Sequence, residues 1–221
     1  MKRSTLSVIL AAALCVSATP AAAGPIEDRI TKANQYIQQK DYKKAIKQYE
    51  SVLEIEPDHA KTNLLLGLVY ATTGDLDTAE KYTQKSIAKE SSYSAYNNLA
   101  MIYANQGKMD LSIKAYEQAL SMNPDAFRSW HQLGLVHQAN LDFKKAIDCF
   151  VRALELNPSY TDSRLGLGSS YYWHGDMAKA LEEVEKLKAA NETVKADALA
   201  KWIEVKELKK SDSAKPAQPA S

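Results

Sequence analysis

The chain has 221 residues, 45% of them hydrophobic, and its 28 Lys and Arg nearly cancel 27 Asp and Glu to give a net charge of +1. So even a balance, with the basic residues dispersed rather than clustered, excludes the electrostatic footprint of a nucleic-acid binder.

The first element is a basic start at Lys2 and Arg3, an apolar run from Leu6 to Val16, and Ala21-Ala22-Ala23 before Gly24. This order predicts a secretory signal peptide over residues 1–23, either cut after Ala23 or retained as an anchor. The run is short for a membrane span, which needs about 20 apolar residues. Cys15 lacks the setting of a lipoprotein cysteine, because Leu14 stands directly before it and Ala12 takes the place of the usual upstream Leu. The expected mature protein is soluble and exported, to the periplasm or beyond, with 26 basic and 27 acidic residues and no transmembrane span. It keeps Cys149 as its single thiol, so packing rather than a disulfide framework must hold it together. Cys149 reads as a small apolar residue on a helix, with intermolecular pairing as the alternative.

From Ile26 onward one pattern recurs five times. Tyr36, Tyr70, Tyr103, His137 and Tyr171 form a column at steps of 34, 33, 34 and 34. Nine residues after each stands Ala45, Ala79, Ser112, Ala146 or Ala180, and three before each stands Ala33, Gly67, Ala100, Gly134 or Gly168. A fixed period in this range predicts stacked repeats, here over residues 26–59, 60–92, 93–126, 127–160 and 161–190. Each repeat divides into two helical patterns, broken at Gln39-Lys40-Asp41, Thr73-Gly74-Asp75, Gln106-Gly107-Lys108, Asn140-Leu141-Asp142 and His174-Gly175-Asp176. Glycine tolerates the left-handed backbone of a helix end, and Asp caps the helix that follows. The small columns let the paired helices approach closely, and Tyr49, Tyr116, Phe150, Tyr96 and Trp130 fill the space between repeats. Pro57, Pro124 and Pro158 close repeats one, three and four. Repeat two has no such proline, and its short step predicts an altered turn within Ala88–Ser92. Arg29 and Lys32 give repeat one a polar outer face, as a terminal repeat requires. Val194, Leu199, Trp202, Ile203 and Val205 predict one capping helix over 191–210, and the Pro/Ala/Ser-rich residues 211–221 read as a disordered tail.

The order aromatic, Leu-Gly, Tyr, Ala, aromatic, Ala, Pro resembles the tetratricopeptide repeat. Repeat four carries it most fully, as Trp130, Leu133, Gly134, His137, Ala146, Phe150, Ala153 and Pro158. The resemblance covers residues 26 to 190 and implies an all-α fold. That fold is a right-handed superhelical solenoid of antiparallel helix pairs, about five repeats with a C-terminal capping helix. It also implies a concave face that binds a peptide or protein segment.

On each first helix, residues at i, i+4 and i+7 share the face not committed to the Tyr and Gly columns. The candidate groove takes Asn34 from repeat one, then Leu64 and Leu68 with neighbouring Lys61 from repeat two. Repeat three gives Asn97 and Met101 with Asn98, repeat four His131 and Leu135 with Arg128 and Gln132, and repeat five Tyr172 beside Trp173. Leucines dominate in repeat two, amides in three and four, and aromatics in five. Amides bond a peptide backbone whatever its sequence, and Leu or Met accepts its apolar side chains. The expected partner is an uncharged or weakly charged protein segment, held mainly by repeats two to four. Of the Lys/Asn/Asn/Lys/Arg set with which chaperone-binding relatives of the repeat grip a carboxylate, only Asn98 and the basic Arg128 have counterparts. A second copy of the chain is a further possible partner.

No catalytic, metal or cofactor-binding constellation stands out. His131 and His137 are six apart on one helix and so face different ways, and His59 and His174 are remote in sequence. Leu165-Gly166-Leu167-Gly168 lacks the preceding strand of a phosphate loop. Two function classes fit: a non-catalytic interaction scaffold that assembles or localises an exported complex of the cell envelope, or an accessory subunit of an envelope enzyme.

Overall fold

The computed structural model describes residues 23–213, with side chains from Gly24 to Glu204. The expected leader up to residue 22, with Cys15, and residues 214–221 lie outside the described residues. The chain divides after Val52 into two compact units. The first holds α1 (Ala23–Gln38) and, save its last residue, α2 (Tyr42–Leu53). Ile30, Ala33, Ala45, Tyr49 and Val52 are buried there, and Tyr49 donates its hydroxyl to Asn34 Oδ1 at 2.6 Å.

The second unit is an all-helical solenoid. Its elements are α3 (Ala60–Thr73), α4 (Leu76–Lys89), α5 (Tyr93–Asn105), α6 (Met109–Met122), α7 (Phe127–Ala139), α8 (Phe143–Leu156), α9 (Thr161–His174), α10 (Met177–Ala189) and α11 (Thr193–Ser213). Helices pack in consecutive pairs, and each second helix also meets the first helix of the next pair. The tight turns inside the pairs use positive φ at Gly74 (89°), Gly107 (76°) and Gly175 (97°), and at Leu141 (60°). Glycine adopts this backbone freely, whereas a residue with a Cβ is strained by about 1–2 kcal/mol. Asp75, Asp142 and Asp176 then cap α4, α8 and α10 by accepting the backbone N–H of Thr78, Lys145 and Lys179 at 3.2–3.3 Å.

The small columns mark where helices touch. Ala79, Ala146 and Ala180 are fully buried. Ser112 stands in the same column because its hydroxyl donates to the Ala100 carbonyl of the facing helix at 2.8 Å. A Cβ on Gly134 would lie 2.8 Å from the Phe150 ring, and one on Gly166 only 2.6 Å from it. One aromatic side chain thus plugs two successive first helices. At Gly67 the facing atom is the Thr83 hydroxyl, where repeats one, three and four have a ring, and that hydroxyl is buried without a hydrogen-bond partner.

The junction after α4 differs from its neighbours as the missing proline predicts. Glu90 (φ −149°) and Ser92 (φ −141°) are extended, and Ser92 caps α5 by accepting the Ala95 N–H at 3.3 Å. The equivalent link after α6 is one residue longer and turns through Pro124. α11 lays Ala196, Leu199 and Ile203 on Val184 and Leu187. It runs on to Ser213, past residue 211 where the tail was expected to begin, since no proline or glycine interrupts the sequence before Pro216.

Candidate peptide-binding face

Three first helices of the second unit, α3, α5 and α7, present one large apolar side chain each at the same position of the repeat, which α9 gives to the buried Ser169. Leu68 on α3 is 41% exposed, Met101 on α5 38% and Leu135 on α7 39%. Residues immediately after or two before each (Val69, Ile102, Val136; Leu66, Leu99, Leu133) are buried, so the ladder is the part of a well-packed helix that faces water. Around it Leu64, Asn98 and Gln132 are half-buried, and Lys61 and Arg128 are exposed. The Arg128 guanidinium lies 5.1 Å from the centre of the Phe127 ring. Asn34 is exposed in the first compact unit, with its carbonyl oxygen engaged by Tyr49.

Two of the expected groove residues serve the stack instead. His131 is only 6% exposed; its Nδ1 lies 3.0 Å from Ser163 Oγ on α9, and its ring meets Tyr160 edge-on at 5.1 Å. Burial pushes its pKa below the usual histidine value, so the ring is a neutral joint between α7 and α9 rather than a ligand contact. Asn97 Oδ1 accepts from Ser129 Oγ at 2.6 Å, and that hydroxyl is 2.7 Å from Tyr93 Oη. Gln138, one turn further along α7 from Leu135, donates to the Gly166 carbonyl at 3.1 Å and to Ser169 and Ser170 at 2.8 Å. The physical reason is shared. Successive first helices lie close enough that short polar side chains on their flanks reach the neighbour. Periodicity finds the face of a helix and does not reveal that distance.

One concavity among the described residues was not singled out by the repeat pattern. An open cleft of about 420 Å³ is lined by Leu135, Gln138 and Ala139 of α7, Leu141 of the turn, Phe143 of α8, Ser169 and Trp173 of α9, and Trp202 of α11. Trp173 is 57% exposed, stacks on Phe143 at 6.2 Å, and takes the edge of Tyr172 at 5.0 Å. The sequence signal was the adjacent pair Tyr172-Trp173; Trp202 comes from outside the repeats and no spacing rule connects it. A second cleft of about 360 Å³ involves Trp130, Leu133, His137 and Cys149. Burial lowers the His137 pKa and pushes the Cys149 thiol up to about 12, so both are neutral and the cysteine is not a poised nucleophile. Among the described residues no three His, Cys, Asp or Glu gather as a metal site, and no helix is long and apolar enough to cross a membrane.

Residues 93–126 and 127–160 match the tetratricopeptide repeat, and residues 33–74 match a second family described as TPR repeat. Anaphase-promoting complex subunit 3 of Schizosaccharomyces pombe is 25% identical over 158 residues, 71% of this chain and 24% of that protein. The chain therefore spans about a quarter of that relative's length. Among solved structures, MamA from Desulfovibrio magneticus RS-1 superposes with a TM-score of 0.72 at 16% identity, over 76% of this chain and 96% of that one. YrrB, described as a TPR protein with an unusual peptide-binding site, gives 0.70 at 19% identity over 82% and 98%. At these identities the likeness is one of fold.

Proposed function

We propose that this chain, a bearer of tetratricopeptide repeats, is a non-catalytic interaction scaffold of the cell envelope. It holds an extended, weakly charged protein segment along Leu68, Met101 and Leu135, and so assembles or localises an exported complex. The observation that carries this reading is the ladder itself: three large apolar side chains, one per repeat, each about two-fifths exposed. Neighbouring helices lie about 8–10 Å apart, and a segment in the polyproline II conformation rises about 3.1 Å per residue with three residues per turn, so every third residue can meet a new rung. Asn98 and Gln132, half-buried beside the ladder, offer donors and acceptors to the segment's backbone. The peptide-binding description of YrrB and the complex-subunit description of the Schizosaccharomyces pombe relative support the binding class. The basic-apolar-Ala start of the chain supports export.

The test is capture from envelope fractions by the immobilised chain, its Leu68→Asp/Met101→Asp variant, and a Leu181→Asp control on the second-helix side. Loss of a captured protein in the ladder variant but not the control is the expected result. Equal capture by all three overturns the assignment of the face. An N-terminus beginning at Gly24 on mass spectrometry of the native protein checks the export step, and an N-terminus at Met1 in the cytosolic fraction refutes it.

A further inference from the structure

The column that carries Leu68, Met101 and Leu135 runs on to Ser169 one repeat later, and there the ladder loses its rung. Ser169 is 9% exposed and is held down on α9: its hydroxyl donates to the Gly166 carbonyl at 3.0 Å and accepts from Gln138 Nε2 at 2.8 Å. Where a fourth large side chain would project lies the cleft of about 420 Å³, which Leu135 and Ser169 both line. Ladder and cleft therefore share Leu135 and form one continuous surface, three ridges followed by a hole.

The hole is aromatic and uncharged. Trp173, one turn beyond Ser169 on α9, is 57% exposed, and Trp202 on α11 is 46% exposed. Phe143 backs Trp173 within 17° of parallel, and none of the residues lining the cleft is charged. Exposed indoles in this setting gain most from a further aromatic ring, packed offset or edge-on at about 4.5–7 Å between centres. A charged side chain would give up its water there without a counter-ion. Resting on the ladder reading, we propose that the cleft is the specificity pocket for the same bound segment. It takes one Phe, Tyr or Trp side chain of the partner, three residues beyond the one that meets Leu135. The spacing follows from the polyproline II conformation that matches the ladder, in which every third residue returns to the same side. The next residue on that side arrives at the column position of Ser169, where the chain offers a hole and the partner must supply the bulk. The pocket thereby sets the register: a segment slipped by three residues sets its ring against Leu135 and leaves the cleft unfilled.

The probes are the peptide Leu-Pro-Pro-Leu-Pro-Pro-Leu-Pro-Pro-Phe and its reverse, each compared with versions that carry Ala or Lys in place of Phe. Calorimetry on the full chain gives Kd. The indole N–H resonances of its three tryptophans, assigned with single Trp→Phe variants, show where the end of the peptide sits. In one chain direction Phe is expected to tighten binding about tenfold over Ala and over Lys. It shifts Trp173 and Trp202 and leaves Trp130, which lines the other cleft, in place. Trp173→Ala, at an exposed position, removes that advantage without weakening the Ala peptide, whereas Leu68→Asp/Met101→Asp weakens the Phe and Ala peptides by the same factor. Equal affinity of the Phe and Ala peptides, an equal gain from Lys, or a Phe advantage that survives Trp173→Ala overturns the pocket and leaves the ladder standing. Binding that Leu68→Asp/Met101→Asp does not weaken, or no binding in either direction, overturns the ladder and the pocket with it. Shifts of Trp173 and Trp202 that grow with protein concentration and need no peptide give the cleft to a second copy, and equally overturn the proposal.

Discussion

Replacing Gly166 by Ala isolates the contact that joins repeats four and five. In an open helix the change would stabilise by about 1 kcal/mol through helix propensity. Here the new Cβ would stand 2.6 Å from Cε1 and Cζ of Phe150. Carbon atoms prefer about 3.5–4.0 Å, so the ring must retreat by about 1 Å. It has no room to do so, because the Cβ position of Gly134 is already within 2.8–3.0 Å of the same ring and Phe150 is fully buried. Overpacking at the upper end of its range, about 3 kcal/mol, outweighs the propensity gain and leaves a net loss of about 2 kcal/mol. For a chain of this size that lowers Tm by about 4–8 °C. The assay is thermal and urea unfolding followed by circular dichroism, repeated in a Phe150→Leu background where the smaller side chain leaves space. There Gly166→Ala becomes neutral or stabilising. If Gly166→Ala alone melts at or above the wild-type temperature, the two-sided clamp on Phe150 is wrong.

Alanine at Asn98, Arg128 and Gln132 weakens partner capture with Tm close to wild type, whereas His131→Ala lowers Tm, because the imidazole joins α7 to α9; binding titrations alongside melting curves separate the two. Burial lowers the pKa of His131 and His137 below their ordinary 6.5, so the unfolded chain takes up more protons as pH falls through and below that value. Stability is therefore full above about pH 6.5 and declines toward pH 5, and His137→Tyr, the residue of the other repeats, flattens that decline in Tm measured across the range. Asp142 and Asp176, whose pKa values are held below 3.8 by bonds to Lys145 and Lys179, act only at lower pH and do not confuse the reading. Leu141→Gly relieves a left-handed leucine and stabilises by about 0.5–1 kcal/mol after the entropy cost of glycine, as urea midpoints will show; a lower midpoint refutes the strain.

Much of the fold was legible because it repeats. The Tyr, Gly and Ala columns marked helix contacts that the structure contains, and the single 33-residue step located the extended link through Glu90 and Ser92. Ser112 was legible only as a small residue of its column, and its hydrogen bond to the Ala100 carbonyl was not. The candidate face was legible in part. Leu68, Met101 and Leu135 are exposed where a helical wheel puts them, but the wheel treats each helix as isolated. It therefore assigned His131 and Asn97 to a ligand when both reach the adjacent helix. The aromatic cleft was least legible, since Trp202 sits on a helix outside the period and only tertiary folding brings it near Trp173.

The proline-free link after Lys89 has a consequence for how the array comes apart. In a linear stack each member is held by its neighbours alone, and the weakest joint decides where it parts. That link, extended at Glu90 and Ser92, joins α4 to α5 at the boundary of repeats two and three. Leu68 stands on one side of it and Met101 on the other. A segment lying across both rungs acts as a splint, and its binding energy appears as resistance of that joint to opening.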